Sequence, residues 1–121
     1  MAEYDTKEYD VLIIGAGGAG LRAAIEAAAA GVSVGLVCKS LLGKAHTVMA
    51  EGGAAAAMGN VDDRDNWMVH FADTMRGGQY VNTPVMAELQ AKEAPDRMPQ
   101  LGAWGAVCDR PPAGCRLQHS F

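Results

Sequence analysis

The order of apolar runs, glycines and alanines near the amino end predicts a strand, a helix and a second strand. Residues 11–14 form a short apolar run rich in β-branched side chains, which is typical of a buried strand. Residues 21–30 are mostly alanine, the strongest helix former, and predict a helix. Residues 32–38 form the next apolar run and predict the second strand. This succession predicts a βαβ unit and therefore an α/β fold.

A glycine motif lies between the first predicted strand and the helix. Gly15, Gly17 and Gly20 satisfy G-x-G-x-x-G. The first glycine permits a tight turn, the second lets a pyrophosphate approach the backbone, and the third lets helix and strand pack closely. The helix start then offers free N–H groups and a partial positive charge to the phosphates. Because the motif stands between a strand and a helix, we predict a dinucleotide site; a merely tight turn is the alternative.

The end of the second predicted strand bears on the kind of dinucleotide. A dinucleotide fingerprint usually has an Asp or Glu at this point to hold a ribose. Cys38, Lys39 and Ser40 stand there instead. The missing acid counts against NAD, although Ser40 or the backbone remains available to a ribose.

Residues 41–53 form a polar, glycine-rich stretch that begins with a basic loop and ends with paired glycines. The stretch is too rich in glycine for a helix start and too polar for a buried strand. We therefore predict a loop that lies along an extended ligand. His46 is the reactive side chain of this loop, although a histidine in a polar loop is more often a hydrogen-bonded surface residue.

A further helix is predicted after the polar residues 60–66, which include several candidate caps. We interpret its apolar side chains as core packing rather than as a cofactor site. Its apolar face is expected to comprise Trp67, Met68, Phe71 and Met75.

The next predicted helix begins with a cap residue, Thr83, and with Pro84 at its first position. We expect this helix to end at Ala94, because Pro95 follows and the residue before a proline disfavours the helical conformation. Pro99 would cost about 3 kcal/mol inside a helix, so we expect a kinked or irregular turn around it.

Composition and charge narrow the class of protein. The 121 residues suffice for one domain, and a formal net charge of −4 argues against a nucleic-acid partner. Three cysteines without C-x-x-C spacing argue against a secreted disulfide framework and predict a reducing, cytosolic compartment. The polar lead-in predicts no signal peptide, and no apolar stretch approaches the length of a membrane span. Cys115 and His119 lack a second pair of ligands, so no metal site is predicted.

Short stretches along most of the sequence follow the pattern of a known family. They are residues 9–11, 15–20, 38–40, 45–53, 58–60, 65–67, 70–71, 73–74, 76–77, 92–95 and 104–107. On these residues the chain resembles the N-terminal part of the flavoprotein subunit of succinate dehydrogenase and fumarate reductase, most of all the actinobacterial type. The resemblance implies an incomplete, Rossmann-like FAD-binding domain that consists of the βαβ unit and the helices after it.

The resemblance also implies FAD as the cofactor. In this family the histidine before Thr-Val carries the flavin ring through a covalent bond. The matching position is His46, so the resemblance implies this bond in the intact enzyme. A neutral imidazole nitrogen is a competent nucleophile near neutral pH. The family usually has Ser before this histidine, whereas this chain has Ala45. The cofactor-binding residues implied are Gly15, Ala16, Gly17, Gly18, Ala19, Gly20, Cys38, Lys39, Ser40, Ala45, His46, Thr47, Val48, Ala50, Glu51, Gly52 and Gly53.

A reaction and partners follow from the same resemblance. The family moves a hydride between succinate and FAD and passes electrons through an iron–sulfur subunit to a quinone. Membrane anchor subunits hold the complex at the cytoplasmic face of the cell membrane. The residues that bind the dicarboxylate belong to a later capping domain, so no catalytic residue is assigned here and the isolated chain is expected to be inactive. The alternatives are an L-aspartate oxidase-like flavoprotein, which lacks the covalent bond, and a non-catalytic nucleotide-binding fragment.

The family pattern ends abruptly after Arg110. We therefore divide the chain into residues 1–110, the N-terminal part of an FAD-binding domain, and residues 111–121, an atypical tail that we expect to be disordered. A shifted reading frame or a truncated gene would produce such a tail. An intact downstream frame on resequencing would support this hypothesis, and an authentic in-frame stop codon would count against it.

Overall fold

Two compact units make up the chain, Met1–Gly53 and Ala54–Phe121. The computed structural model describes residues 4–50 and 53–107, so the predicted tail with Cys115 and His119 lies outside the described residues. The elements of the first unit are β1 (Val11–Ile14), α1 (Gly18–Ala29), β2 (Val34–Val37) and a 3-10 helix, the histidine turn (His46–Met49). Those of the second unit are α2 (Trp67–Gly77) and α3 (Pro84–Ala103).

The first unit has the predicted βαβ arrangement. β1 and β2 pair in parallel, with Val11 opposite Val34, and α1 contacts both strands. β2 is shorter than the predicted strand at both ends. α1 begins at Gly18, earlier than predicted, because the Leu21 N–H already donates to the Gly17 carbonyl at 2.9 Å. The helix therefore begins inside the glycine motif.

β1 differs from the strand expected from its sequence. A continuous apolar run predicts burial on both faces, yet Leu12 is 59% and Ile14 84% exposed. Val11 and Ile13 are half-buried, so burial alternates along the strand. The reason is geometric, because successive side chains point to opposite faces and α1 covers one face.

Asp10 and Ser33 join the amino ends of the two strands. The Ser33 N–H and hydroxyl donate to the Asp10 carboxylate at 2.8 and 2.6 Å, and the Asp10 N–H donates to the Ser33 hydroxyl oxygen at 3.0 Å. The hydroxyl bond, and after it the backbone bond, lower the pKa of Asp10 by stabilising its charged form. This carboxylate therefore lies at the opposite edge of the sheet from the glycine motif.

In the second unit, Asn66 begins α2 as a capping residue. Its side-chain oxygen accepts from the N–H groups of Met68 and Val69 at 2.9 and 3.2 Å. Met75 is buried, in agreement with the predicted apolar face. The predicted place of Met68 on that face is wrong, because its side chain is 58% exposed. One position past Trp67, it lies about 100° further round the helix.

α3 begins at Pro84, as predicted, and continues to Ala103. The predicted end at Ala94 is therefore wrong, and so is the irregular turn expected at Pro99. Pro95 and Pro99 both lie inside the helix, and each lacks the N–H that would bond the carbonyl four residues earlier.

Packing within the second unit fixes the part of α3 that precedes its prolines. α2 and α3 contact each other, Ala91 is fully buried, and the Lys92 ammonium lies 4.4 Å from the centre of the Trp67 ring. An exposed ion pair between Glu93 and Arg97, at 3.2 Å, spans the first proline. The local preference for a turn at Pro95 is thus outweighed in this helix, and sequence spacing alone misplaced its end.

Candidate nucleotide site at the glycine turn

The carboxyl ends of β1 and β2 form one edge of the small sheet. Because the strands are parallel, the residues that follow them lie at this same edge. The Gly15 N–H donates to the Val37 carbonyl at 2.8 Å, so the strand pairing continues into residues 15–20, which we call the glycine turn. Gly15 has a φ of +113°, a conformation that favours glycine. The tight turn predicted at this position is confirmed.

Gly20 lies where the first turn of α1 passes the end of β1. A Cβ atom here would stand 1.9 Å from the carbonyl oxygen of Gly15. Only a residue without a side chain allows this approach, which confirms the predicted packing role of the third glycine.

Gly17 has different surroundings. Its φ is −78°, which any residue adopts, and a Cβ atom here would meet Thr47 Oγ1 at 3.5 Å, an ordinary contact. The backbone at Gly17 therefore has room beside it, while the first amides of α1 have no acceptor one turn earlier in the helix. A glycine turn with these properties fits a pyrophosphate.

A hydrogen bond joins the histidine turn to the glycine turn. The Gly18 N–H, at the start of α1, donates to Thr47 Oγ1 at 2.9 Å. His46 is the neighbouring residue and its side chain is exposed. The structure therefore brings the turn that carries the histidine to the start of α1. The sequence placed Thr47 among the ligand-binding residues but did not predict its bond to Gly18. No local pattern of residues indicates this bond.

The residues after β2 lie at the same edge. The Cys38 thiol donates to the Ser40 carbonyl at 2.7 Å, which closes a short turn directly after the strand. Lys39 and Ser40 are exposed, and Cys38 is half-buried. The acid expected of an NAD site is thus replaced here by an exposed cation.

The other predicted cofactor-binding residues surround the histidine turn. Ala45 and Ala50 flank it as its N-cap and C-cap, and Val48 is 66% exposed within it. Gly53 has a φ of +80°. The predicted positions Glu51 and Gly52 lie outside the described residues. The assignment of all these residues to FAD stays a prediction.

Residues 4–50 and 53–107 contain neither a membrane span nor a metal cluster. No helix in these ranges combines the length and apolarity needed to cross a bilayer. Within the same ranges, no three histidine, cysteine or acidic side chains are grouped as a metal ion would require.

Comparison with known families supports the resemblance. Residues 10–119 match the family model described as FAD binding domain. The chain is 47% identical over 120 residues to a fumarate reductase (CoM/CoB) subunit of Methanothermobacter marburgensis, and this match covers 98% of the chain and 22% of that protein. It is 37% identical over 114 residues to the succinate dehydrogenase flavoprotein subunit of Rickettsia bellii, which covers 94% of the chain and 19% of that protein.

Two solved structures are also similar to this chain. The Sdh1 complex of Mycobacterium smegmatis in the apo form matches with a TM-score of 0.85 and 61% identity, over 93% of this chain and 19% of that chain. A variant of the E. coli quinol fumarate reductase FrdA matches with a TM-score of 0.82 and 39% identity over the same shares. The chain thus spans about a fifth of the length of the relatives it matches.

Proposed function

Because the chain belongs to the family of the FAD binding domain, we propose that its glycine turn binds the pyrophosphate of FAD. The Gly18 N–H already donates to Thr47, and the amides that follow it at the start of α1 offer hydrogen-bond donors and the positive end of the helix dipole to an anion. Gly17 leaves room for the phosphates, and Gly20 holds α1 close to β1. The observation that supports the proposal most is the bond between Gly18 and Thr47, which joins the histidine turn to this turn.

We also propose that, in the whole protein, His46 carries FAD through a covalent bond from an imidazole nitrogen to a carbon substituent of the flavin ring. Forming this bond would break one N–H and one C–H bond, and the two electrons and two protons released would reduce the bound flavin itself. The exposed side chain of His46 is accessible to a ligand that extends from the glycine turn. Such a bond would hold the ring at a fixed place and tune its electronics. The remaining predicted residues after β2 and around the histidine turn would line the path of the cofactor between its pyrophosphate and its ring.

The whole protein would then be the flavoprotein subunit of a succinate dehydrogenase or fumarate reductase. Bound FAD supplies the two-electron chemistry by which a hydride is exchanged with a dicarboxylate. The part of this chemistry assigned to the described residues is to bind and orient the cofactor. The partners that we propose are membrane anchor subunits together with an iron–sulfur subunit, and the location is peripheral, at the cytoplasmic face of the cell membrane.

Titration of the chain with FAD tests the pyrophosphate site. We expect quenching of flavin fluorescence by the wild-type chain and much weaker binding by Gly17→Ala, since its added methyl group would occupy the space for the phosphates. Its φ and its single ordinary contact predict an unchanged fold. Gly77→Ala, which adds a methyl group in open space at the end of α2, is the matched control. Equal binding by all three proteins would contradict the proposal.

Mass spectrometry tests the covalent bond. Trypsin cleaves after Lys44 and Arg64, so a flavin adduct on residues 45–64 reports on His46, the histidine in that peptide. In the whole protein we expect the adduct, and its loss in His46→Ala. Reversible FAD binding without an adduct would instead support a nucleotide-binding module.

A further inference from the structure

We propose that Thr47 is a positioning residue whose hydroxyl holds the histidine turn on the first amide of α1, before any cofactor binds. Thr47 Oγ1 accepts from the Gly18 N–H at 2.9 Å, across 29 positions of the sequence. Since His46 is the neighbour of Thr47, this bond fixes the backbone of His46 relative to the glycine turn. The meaning of this arrangement for FAD rests on the proposed function, whereas the arrangement itself does not.

The need for an acceptor from elsewhere in the chain arises from the glycine turn. Helices usually begin with a residue whose side chain accepts from the first amides. Gly17 is the N-cap of α1 and has no side chain to do so. Thr47 supplies an acceptor without closing the helix start to an anion, because a hydroxyl that accepts a hydrogen bond keeps a proton to donate.

The methyl group of Thr47 adds a second contact to the hydroxyl. A Cβ atom at Gly18 would lie 3.2 Å from Thr47 Cγ2, so this methyl group packs directly against the backbone of α1. Thr47 is itself exposed, so its replacement empties no core. Thr47→Val therefore removes the hydrogen bond and keeps the shape, while Thr47→Ser keeps the hydrogen bond and removes the methyl group.

Amide hydrogen exchange of the full chain, measured by NMR, tests the bond. The Gly15 amide, which donates to Val37, is the internal reference for strand pairing. In Thr47→Val we expect exchange at Gly18 to accelerate about fivefold relative to Gly15, the equivalent of about 1 kcal/mol for one hydrogen bond. Thr47→Ser should restore the wild-type ratio. Met49→Ala, an exposed change in the same turn, should leave it unchanged.

The imidazole signals of His46 give a second readout that a loss of overall stability would not produce. We expect them to shift or broaden in Thr47→Val and to return in Thr47→Ser. An unchanged exchange ratio, or unchanged His46 signals, in Thr47→Val would overturn the proposal. Equal acceleration at Gly15 and Gly18 would also overturn it, since the effect would then be global.

FAD titration of the same variants separates this proposal from the proposed function. Where the wild-type chain binds FAD, we expect Thr47→Val to bind it about fivefold more weakly, because the turn must be ordered on binding. Failure of the wild-type chain to bind FAD would count against the proposed function alone, since the exchange ratio still decides whether Thr47 holds the turn.

Discussion

Replacing Gly20 by alanine tests the steric basis of the glycine turn. The added Cβ atom would stand 1.9 Å from the carbonyl oxygen of Gly15 and 3.4 Å from Ile13 Cγ2. The oxygen belongs to the backbone, so no change of rotamer relieves the overlap. α1 must instead move away from the end of β1 by about 1 Å, since Cβ atoms do not approach other atoms within 3.0 Å.

The size of the effect follows from two opposing terms. Overpacking of this kind costs about 1–3 kcal/mol. Alanine is the better helix former and returns up to about 1 kcal/mol in a helix interior. We therefore expect Gly20→Ala to lower the free energy of unfolding of the first unit, by up to about 3 kcal/mol. The same movement would displace the first amides of α1, so FAD binding should weaken as well.

Gly18→Ala is the matched control, because it makes the same substitution two positions earlier in the same helix. Its new Cβ atom would meet the side chain of Thr47 at 3.2 Å, and this exposed side chain has room to adjust. Urea unfolding, followed through exchange of the Gly15 amide, measures the stability of this unit in each variant. If Gly20→Ala and Gly18→Ala unfold at the same urea concentration, the steric reasoning is refuted.

Three further predictions concern contacts within one unit or the other. Gly35→Ala would bring a Cβ atom within 2.5 Å of the Tyr9 ring, so we expect the free energy of unfolding in urea to fall by about 1 kcal/mol. This loss should disappear when Tyr9 is also replaced by alanine. If the effects of the two substitutions simply add, the contact is refuted. Asn66→Ala should lower the stability of α2 by about 1 kcal/mol, whereas Asn66→Asp, which keeps an acceptor, should lower it much less. Circular dichroism measures both losses, and equal losses would contradict the capping bonds. Because the pKa of Asp10 is lowered by folding, its contribution is present above the ordinary value of 3.8 and is lost as the pH falls through the lowered value. Stability should therefore fall less steeply with acid in Ser33→Ala than in the wild-type chain, and identical pH profiles would refute this link.

The sequence predicted those features that depend on neighbouring residues. The order of β1, α1 and β2 follows from runs of apolar residues and alanine, and the places of Gly15 and Gly20 follow from a motif six residues long. The family resemblance rested on many such short stretches and is confirmed by the comparisons. Local chemistry decides each of these features, so the sequence suffices for them.

Contacts between distant positions were not predictable in this way. The bond from Gly18 to Thr47 spans 29 positions, and the bonds between Asp10 and Ser33 span 23. Nothing in the local pattern distinguishes these side chains from other polar residues in turns, because their partners are fixed by the path of the folded chain. The course of α3 through Pro95 was misjudged because a proline disfavours the helical conformation of the residue before it without forbidding it.

The exposed face of β1 connects the fold to the proposed function. Parallel strands in α/β proteins are normally covered on both faces, and the continuous apolar run of β1 suits such a position. In the described residues, Leu12, Ile14 and Val37 remain 59%, 84% and 52% exposed. The matched relatives are about five times as long as this chain, so they have further chain to cover such a face. Since the glycine turn begins directly after Ile14, covering this face would also hold the turn in place. We therefore expect the chain by itself to bind FAD more weakly than a protein in which both faces of β1 are buried.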